Sequence, residues 1–177
     1  MSDDAAGDPS PTLLIAGLVI GVTAVGAVLA IAATRQVPPP PVAIAAVPAP
    51  QAGSAECSAL IATLPDRLGD LKRATAAEPV PAGTAAWRGT GEPVILRCGL
   101  DRPPEFVVGS PIQMVDDVGW FRLDDTGLGR STWVSVDRPV YVALTLPDGS
   151  GTAPIQTLSE VIGRTMPAIP IRPAPAR

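Results

Sequence analysis

Leu13 to Ala33 reads LLIAGLVIGVTAVGAVLAIAA, a stretch without a single charged or strongly polar side chain. Its 21 positions (33 − 13 + 1), at about 1.5 Å of helical rise each, extend about 31 Å, the thickness of the hydrocarbon core of a bilayer. A helix buried in a soluble domain seldom stays apolar on every side for so long. A cleaved signal peptide is the competing reading, since Ala30-Ile31-Ala32 offers a small-x-small pattern. The run is long for that role, however, and no Lys or Arg precedes it. Residues 13–34 are therefore read as a transmembrane helix or uncleaved signal anchor, preceded by a short polar terminus, 1–12, expected to be disordered.

Charge alone gives an ambiguous orientation. Asp3, Asp4 and Asp8 lie before the apolar run and Arg35 after it. The positive-inside rule taken literally keeps Arg35, and everything beyond it, in the cytoplasm, but one arginine is a weak vote and aspartates count for little. The two cysteines and a long proline-rich spacer favour the opposite side, with the C-terminal part extracytoplasmic. The net charge of −4 and the absence of histidine argue against a nucleic-acid partner, which calls for a concentrated basic surface.

After the apolar run, residues 35–53 contain four consecutive prolines, Pro38 to Pro41, then Pro48 and Pro50. This composition favours a polyproline II linker that could hold a domain as much as about 50 Å from the membrane. A ligand for a proline-binding module is the alternative. The end of the chain, PAIPIRPAPAR at 167–177, is read as a second disordered, proline-rich segment. A folded region at 54–166 remains.

Within it, Ser54 is a candidate N-cap, and Cys57, Leu60, Ile61 and Leu64 fall at helical spacing. Pro65 interrupts this helix, and Leu68 and Leu71 suggest a further short turn on the same face. Ala74 to Thr90 reads as loop. Short strands are expected at Pro93–Gly99, Phe106–Val108, Gln113–Val115 and Val118–Leu123, and better ones at Ser131–Val136 and Val140–Leu146. A three-residue turn at Asp137-Arg138-Pro139 would pair Val136 with Val140, Val134 with Val142 and Thr132 with Leu144, leaving Trp133, Ser135, Tyr141 and Ala143 on the other face. Pro154 opens a last helix with Ile155, Leu158 and Ile162 on one side, stopped by Pro167. The sum is an α+β domain: a small two-layer sandwich in which an antiparallel sheet of four to five strands carries helices at both ends of the domain, preceded by the transmembrane helix.

Only two cysteines are present, Cys57 and Cys98, 41 positions apart (98 − 57). That spacing is not a C-x-x-C redox motif, and zinc would want four ligands in a chain without histidine. An even count in a chain that reads as exported favours a structural disulfide, with a loop-closure contribution of about 4 kcal/mol. Two buried free thiols are the alternative.

The segments C-x-x-L-I-x-x-L-P from Cys57, A-W-R-G at Ala86, V-I-L-R-C-G from Val94, V-G-W-F from Val118, W-V-S-V-D-R-P-V-Y-V from Trp133 and L-S-E-V-I from Leu158 together carry a resemblance. The chain resembles the domain-of-unknown-function 3515 family of uncharacterised actinobacterial envelope proteins, over about Ser54 to Met166. The resemblance implies an exported, membrane-anchored domain with paired cysteines at Cys57 and Cys98, and it implies no activity.

Catalytic constellations are mostly excluded. Without histidine there is no Ser-His-Asp or Cys-His arrangement, and Lys72, the one lysine, has no serine one helical turn before it. Asp116-Asp117 and Asp124-Asp125 flank the segment holding Trp120 and Phe121 and could pair as carboxylates for glycoside hydrolysis. Acidic turn residues at strand ends are the plainer reading. Trp87, Trp120 and Trp133 could form a stacking platform for a sugar or wall fragment, with Arg97, Arg122, Arg130 and Arg138 as anion contacts. Three core tryptophans are the alternative. No cofactor or metal is called for. The favoured function is a non-enzymatic interaction or structural domain of the cell envelope, held in the cell membrane by residues 13–34, with an envelope protein or wall component as partner. Binding or hydrolysis of a wall polymer through Asp116, Asp117, Asp124 and exposed tryptophan is the competitor. Gly17 and Gly21, four apart in the apolar run, suggest a weak homodimer face.

Overall fold

The computed structural model describes residues 11–34, 39–125 and 127–176. The chain divides into two compact units, Met1–Pro39 and Pro40–Arg177. In the first unit, helix α1 spans Pro11–Thr34. Proline suits a first helical position because its missing N–H would have no intrahelical partner. The window Leu14–Ala32 has a mean hydropathy of 2.6, and none of it is buried. Its one hydroxyl, that of Thr23, bonds back to the carbonyls of Val19 and Ile20 at 2.9 Å. The helix is thus apolar all round and internally satisfied, as a hydrocarbon environment requires.

The second unit follows with α2 (Ala55–Thr63), β1 (Arg67–Leu68), β2 (Leu71–Ala74), β3 (Thr84–Arg88), β4 (Val94–Leu100), β5 (Ile112–Val115), β6 (Val118–Asp125), β7 (Arg130–Ser135), β8 (Tyr141–Pro147) and α3 (Ala153–Thr165). The expected α+β class holds, but the sheet has eight antiparallel strands rather than four or five, in the order β1-β2-β3-β4-β8-β7-β6-β5. The extra strands come from segments that read as a helical turn and a loop. Leu68 and Leu71 face each other across the β1–β2 hairpin, and β3 lies inside the stretch expected to be loop. Ala85, Ala86 and Trp87 of β3 are all buried; a strand covered on both faces has no period-2 signature to read.

Helices α2 and α3 cover one face. Ser54 caps α2, its Oγ accepting from the Cys57 N–H at 3.2 Å, and Cys57 and Leu60 point inward. The main core joins these to Leu158, Val161 and Ile162 of α3, to Leu96 and Cys98 of β4, and to Val142 and Leu144 of β8. Cys57 and Cys98 are bonded, with Cα atoms 5.6 Å apart. The bond ties the first turn of α2 to the centre of the sheet.

The other face carries two smaller aprons. Val42 and Ile44 are buried against Ala86 and Ile95; Phe106, Phe121 and Val136 form a separate cluster at the far end. The linker expected at 35–53 is therefore not a free spacer from Pro40 onward. Val42 donates to the Thr75 carbonyl and accepts from the Ala77 N–H, both at 2.8 Å, while Gln51 N–H bonds the Gly99 carbonyl at 3.0 Å. Residues 35–38, which include the first of the four consecutive prolines, lie outside the described residues.

Of the segment expected to be disordered at 167–177, residues 167–176 are also seated, and Arg177 lies outside the described residues. Its prolines lack N–H groups, but the residues between them supply donors: Ile169 to the Asp137 carbonyl and Ala174 to the Phe106 carbonyl, both 2.9 Å. Val108 N–H returns a bond to Ala174 at 2.8 Å. The strand expected at Phe106–Val108 is reduced to this single parallel bridge between Val107 and Ala174.

The β7–β8 register is one residue away from the expected one. Val134 pairs with Ala143, Trp133 with Leu144 and Thr132 with Thr145. The connection is longer than a three-residue turn because its residues bond elsewhere: Val136 N–H to Gly119, Asp137 Oδ2 to the Gly119 N–H at 2.8 Å, and Arg138 to the Asp117 carbonyl at 2.6 Å. A slip of one residue exchanges the faces of one strand relative to its partner. Trp133 consequently sits on the helix-covered face with Leu144, while Thr132 faces the other way.

Candidate functional site

The three tryptophans do not form a platform. Trp87 and Trp120 are each 0% exposed. Trp87 donates its indole N–H to the Pro65 carbonyl at 2.9 Å and is covered by the Arg73 guanidinium, 4.8 Å from the ring centroid. Trp120 donates to Ser159 Oγ at 2.9 Å, and Ser159 in turn donates to the Ile155 carbonyl. Both rings are core pieces whose single polar atom is satisfied, which removes them from the candidate ligand contacts. Trp133 differs: it is half-buried and lines a groove of about 310 Å³ with Gln113, Arg122 and the loop Asp148–Thr152. Arg122 lies over its ring at 5.4 Å, so one aromatic face is already taken by a cation.

The carboxylates do not meet either. Asp116 and Asp117 form the two-residue connection between Val115 and Val118, which pair directly. Asp116 has φ of 49°, a left-handed conformation that Asp tolerates better than most residues. Asp124 lies at the other end of β6, where its backbone pairs with Ser131; its side chain and that of Asp125 lie outside the described residues. Seven strand residues at about 3.3 Å each separate the Asp117 and Asp124 backbones by about 23 Å. Two carboxyls acting across one glycosidic bond stand within about 10 Å, so a carboxylate of the Asp116-Asp117 turn does not pair in this way with one at the Asp124 end of β6. Among the described residues no three His, Cys, Asp or Glu side chains gather in a way that could hold a metal ion.

Arg138 is structural, not a surface anion contact. It is 4% exposed and pairs with Asp137 at 3.1 Å. With the bonds to Gly119, Asp117 and Ile169 already described, this D-R dipeptide latches the start of β6, the β7–β8 connection and the C-terminal segment together.

Arg97 and Arg130 line one groove. On β4, Ile95 and Arg97 alternate with the core-facing Leu96 and Cys98, so they point to the less covered face. Arg130 and Thr132 of β7, and Ala143 and Thr145 of β8, share that face. The result is a groove of about 400 Å³, floored by β4, β8 and β7 and walled on one side by Ala43, Ala45 and Val47 of the N-terminal arm. Thr132 and Thr145 hydroxyls are 3.1 Å apart and share a hydrogen bond. Arg97 donates to the Ala45 carbonyl at a long 3.4 Å, and its Nε is buried without a partner among the described residues. Burial, and then the like charge of Arg130, push the Arg97 guanidinium below its ordinary pKa. The two threonines were not identified from sequence, because only the true register brings them opposite each other.

The fold and these grooves define a disulfide-tied two-layer α+β domain on a chain with an apolar N-terminal helix of membrane-spanning length. A family model described as protein of unknown function (DUF3515) matches residues 18–171, and the chain belongs to that family. No curated protein and no solved structure matches it.

Proposed function

We propose that the chain is a single-pass membrane protein whose folded unit acts outside the cytoplasm as a non-enzymatic interaction module of the cell envelope. The observation that carries this reading is α1: a 19-residue window of mean hydropathy 2.6, apolar on every side and unburied. An apolar surface of that extent is unfavourable in water and stable in a bilayer. The Cys57–Cys98 bond supports the extracytoplasmic side, because disulfides persist in oxidising compartments. The buried tryptophans and separated carboxylates favour a binding role over hydrolysis of a wall polymer. Gly17 and Gly21 have open space around them and would allow a weak homodimer through α1.

Alkaline phosphatase and fluorescent-protein fusions after Arg177, made in the native host, test the topology. Phosphatase activity in membranes that resist carbonate extraction is the expected result. A fluorescent fusion with an inactive phosphatase fusion would place the domain in the cytoplasm and overturn the reading. Association that is unchanged by Gly17→Ile and Gly21→Ile in a membrane two-hybrid assay would remove the homodimer face.

A further inference from the structure

We propose that the folded unit docks on the surface of its own membrane through a row of three cations, Arg67, Lys72 and Arg88, which takes anionic lipid headgroups. This reading rests on α1 spanning the membrane and holds for either side of it.

The sheet breaks a pairing rule at this row. Arg67 lies directly opposite Lys72 across β1 and β2, and Lys72 lies directly opposite Arg88 across β2 and β3. Directly paired residues share a face, and like charges in such positions destabilise a sheet. Arg67 and Lys72 are exposed and Arg88 is half-buried; among the described residues none of the three makes an ion pair. Arg73 points to the helix-covered face, over Trp87, and the neighbouring Asp66 acts on Arg73. Cations that only guard a sheet against edge pairing stand on the edge strand. This row runs inward over three strands, and broken local rules of this kind are expected at functional surfaces.

The row also stands where the chain arrives from the membrane. Arg88 donates to the Pro40 carbonyl at 2.7 Å, and Pro40 opens the folded unit. Helix α1 ends at Thr34, six residue steps (40 − 34) earlier. At no more than about 3.6 Å per step, covalent length alone keeps Pro40 within about 22 Å of the edge of the hydrocarbon core. Headgroups fill about the first 6 Å beyond that edge. Surface charge is screened over about 10 Å at about 0.1 M salt, so even a fully extended chain leaves Arg88 within two such lengths of the headgroups. No charged side chain occurs between Arg35 and Glu56, so the arm beside the row brings no carboxylate to neutralise it. Each Lys or Arg at an anionic surface strengthens binding about fivefold, and three favour such a surface over a neutral one by about a hundredfold.

The test uses the full chain in nanodiscs of phosphatidylcholine and in nanodiscs containing phosphatidylglycerol, both in dilute salt. Lys72 is the only lysine of the chain, so its acetylation by an uncharged succinimidyl ester, read by peptide mass spectrometry, reports on the row itself. Acetylation should be slower by about tenfold or more in the anionic discs, and about 0.5 M NaCl should abolish the difference. Arg67→Gln should cut the protection about fivefold at an equal or higher melting temperature, since it removes a like-charge pair. Arg164→Gln, at an exposed cation of α3, should leave the protection unaltered. Protection that survives Arg67→Gln, or that Arg164→Gln removes equally, overturns the proposal. Protection that grows with the number of chains per disc, and not with phosphatidylglycerol, assigns the row to a second copy and overturns it as well. A chain that does not incorporate into discs refutes the membrane span and the docking with it, whereas a chain that incorporates with Lys72 equally reactive in both discs refutes the docking alone.

Discussion

Replacing both cysteines by alanine removes the one covalent link between α2 and the sheet. The closed loop runs from Cys57 to Cys98, 41 residues apart in sequence. Loop-closure entropy for that length gives about 13 cal/mol/K, or about 4 kcal/mol at 25 °C. Both side chains are fully buried, so losing two sulfurs adds to the destabilisation in the same direction. The folded unit Pro40–Arg177 has roughly 140 residues, and at about 2.1 cal/mol/K each its unfolding entropy is about 0.3 kcal/mol/K. The expected drop in melting temperature is therefore about 13 °C or more. Tryptophan fluorescence is the suitable probe, because Trp87, Trp120 and Trp133 all lie in this unit and α1 contains none. Non-reducing peptide mapping of the parent protein verifies the bond itself. A double variant that melts within about 4 °C of the parent would refute the reasoning, since 4 kcal/mol cannot produce so small a shift in a unit of this size.

Asp137→Ala leaves Arg138 buried without its carboxylate and takes away the acceptor of the Gly119 N–H; a loss of about 3–5 kcal/mol is expected in urea unfolding. Gly99→Ala should be comparably damaging, because φ is +87° and a Cβ there would collide with the Gln51–Ala52 backbone; loosening of the N-terminal arm should show as faster amide exchange at Gln51. Trp120→Phe removes the indole bond to Ser159 while keeping most of the apolar volume, and about 1–2 kcal/mol of stability should be lost by denaturant melting.

The two helices of the folded unit were legible because their signals are local. Ser54 precedes a run with apolar residues at i, i+3, i+4 and i+7, and Pro154 opens another; each pattern lies within three turns and needs no knowledge of a partner. The tryptophans were only half legible. Aromatic residues with one polar atom suit both a core and a stacking surface, and the choice turned on whether Pro65 and Ser159, 22 and 39 residues away, would supply an acceptor. The aprons were hidden by their prolines: the signals that matter are the paired Val42 and Ile44, and the free N–H groups of Ile169 and Ala174, which are too short to stand out in such composition.

By itself the sequence determined an apolar helix long enough to cross a bilayer and the α+β class of the domain beyond that helix; it left Cys57 and Cys98 either bonded or free, and the structure bonds them. Tertiary structure alone decided the number of strands, the β7–β8 register and thereby the groove. That register depends on Asp137 and Arg138 reaching Gly119 and Asp117 on a hairpin about 20 residues earlier, and on no feature of the turn's own composition. Had the three-residue turn formed instead, Thr132 would face Leu144 and the hydroxyl pair beside Arg97 would not exist. A strand's side-chain period is two, so a single long-range hydrogen-bonded latch is enough to choose which residues share a face.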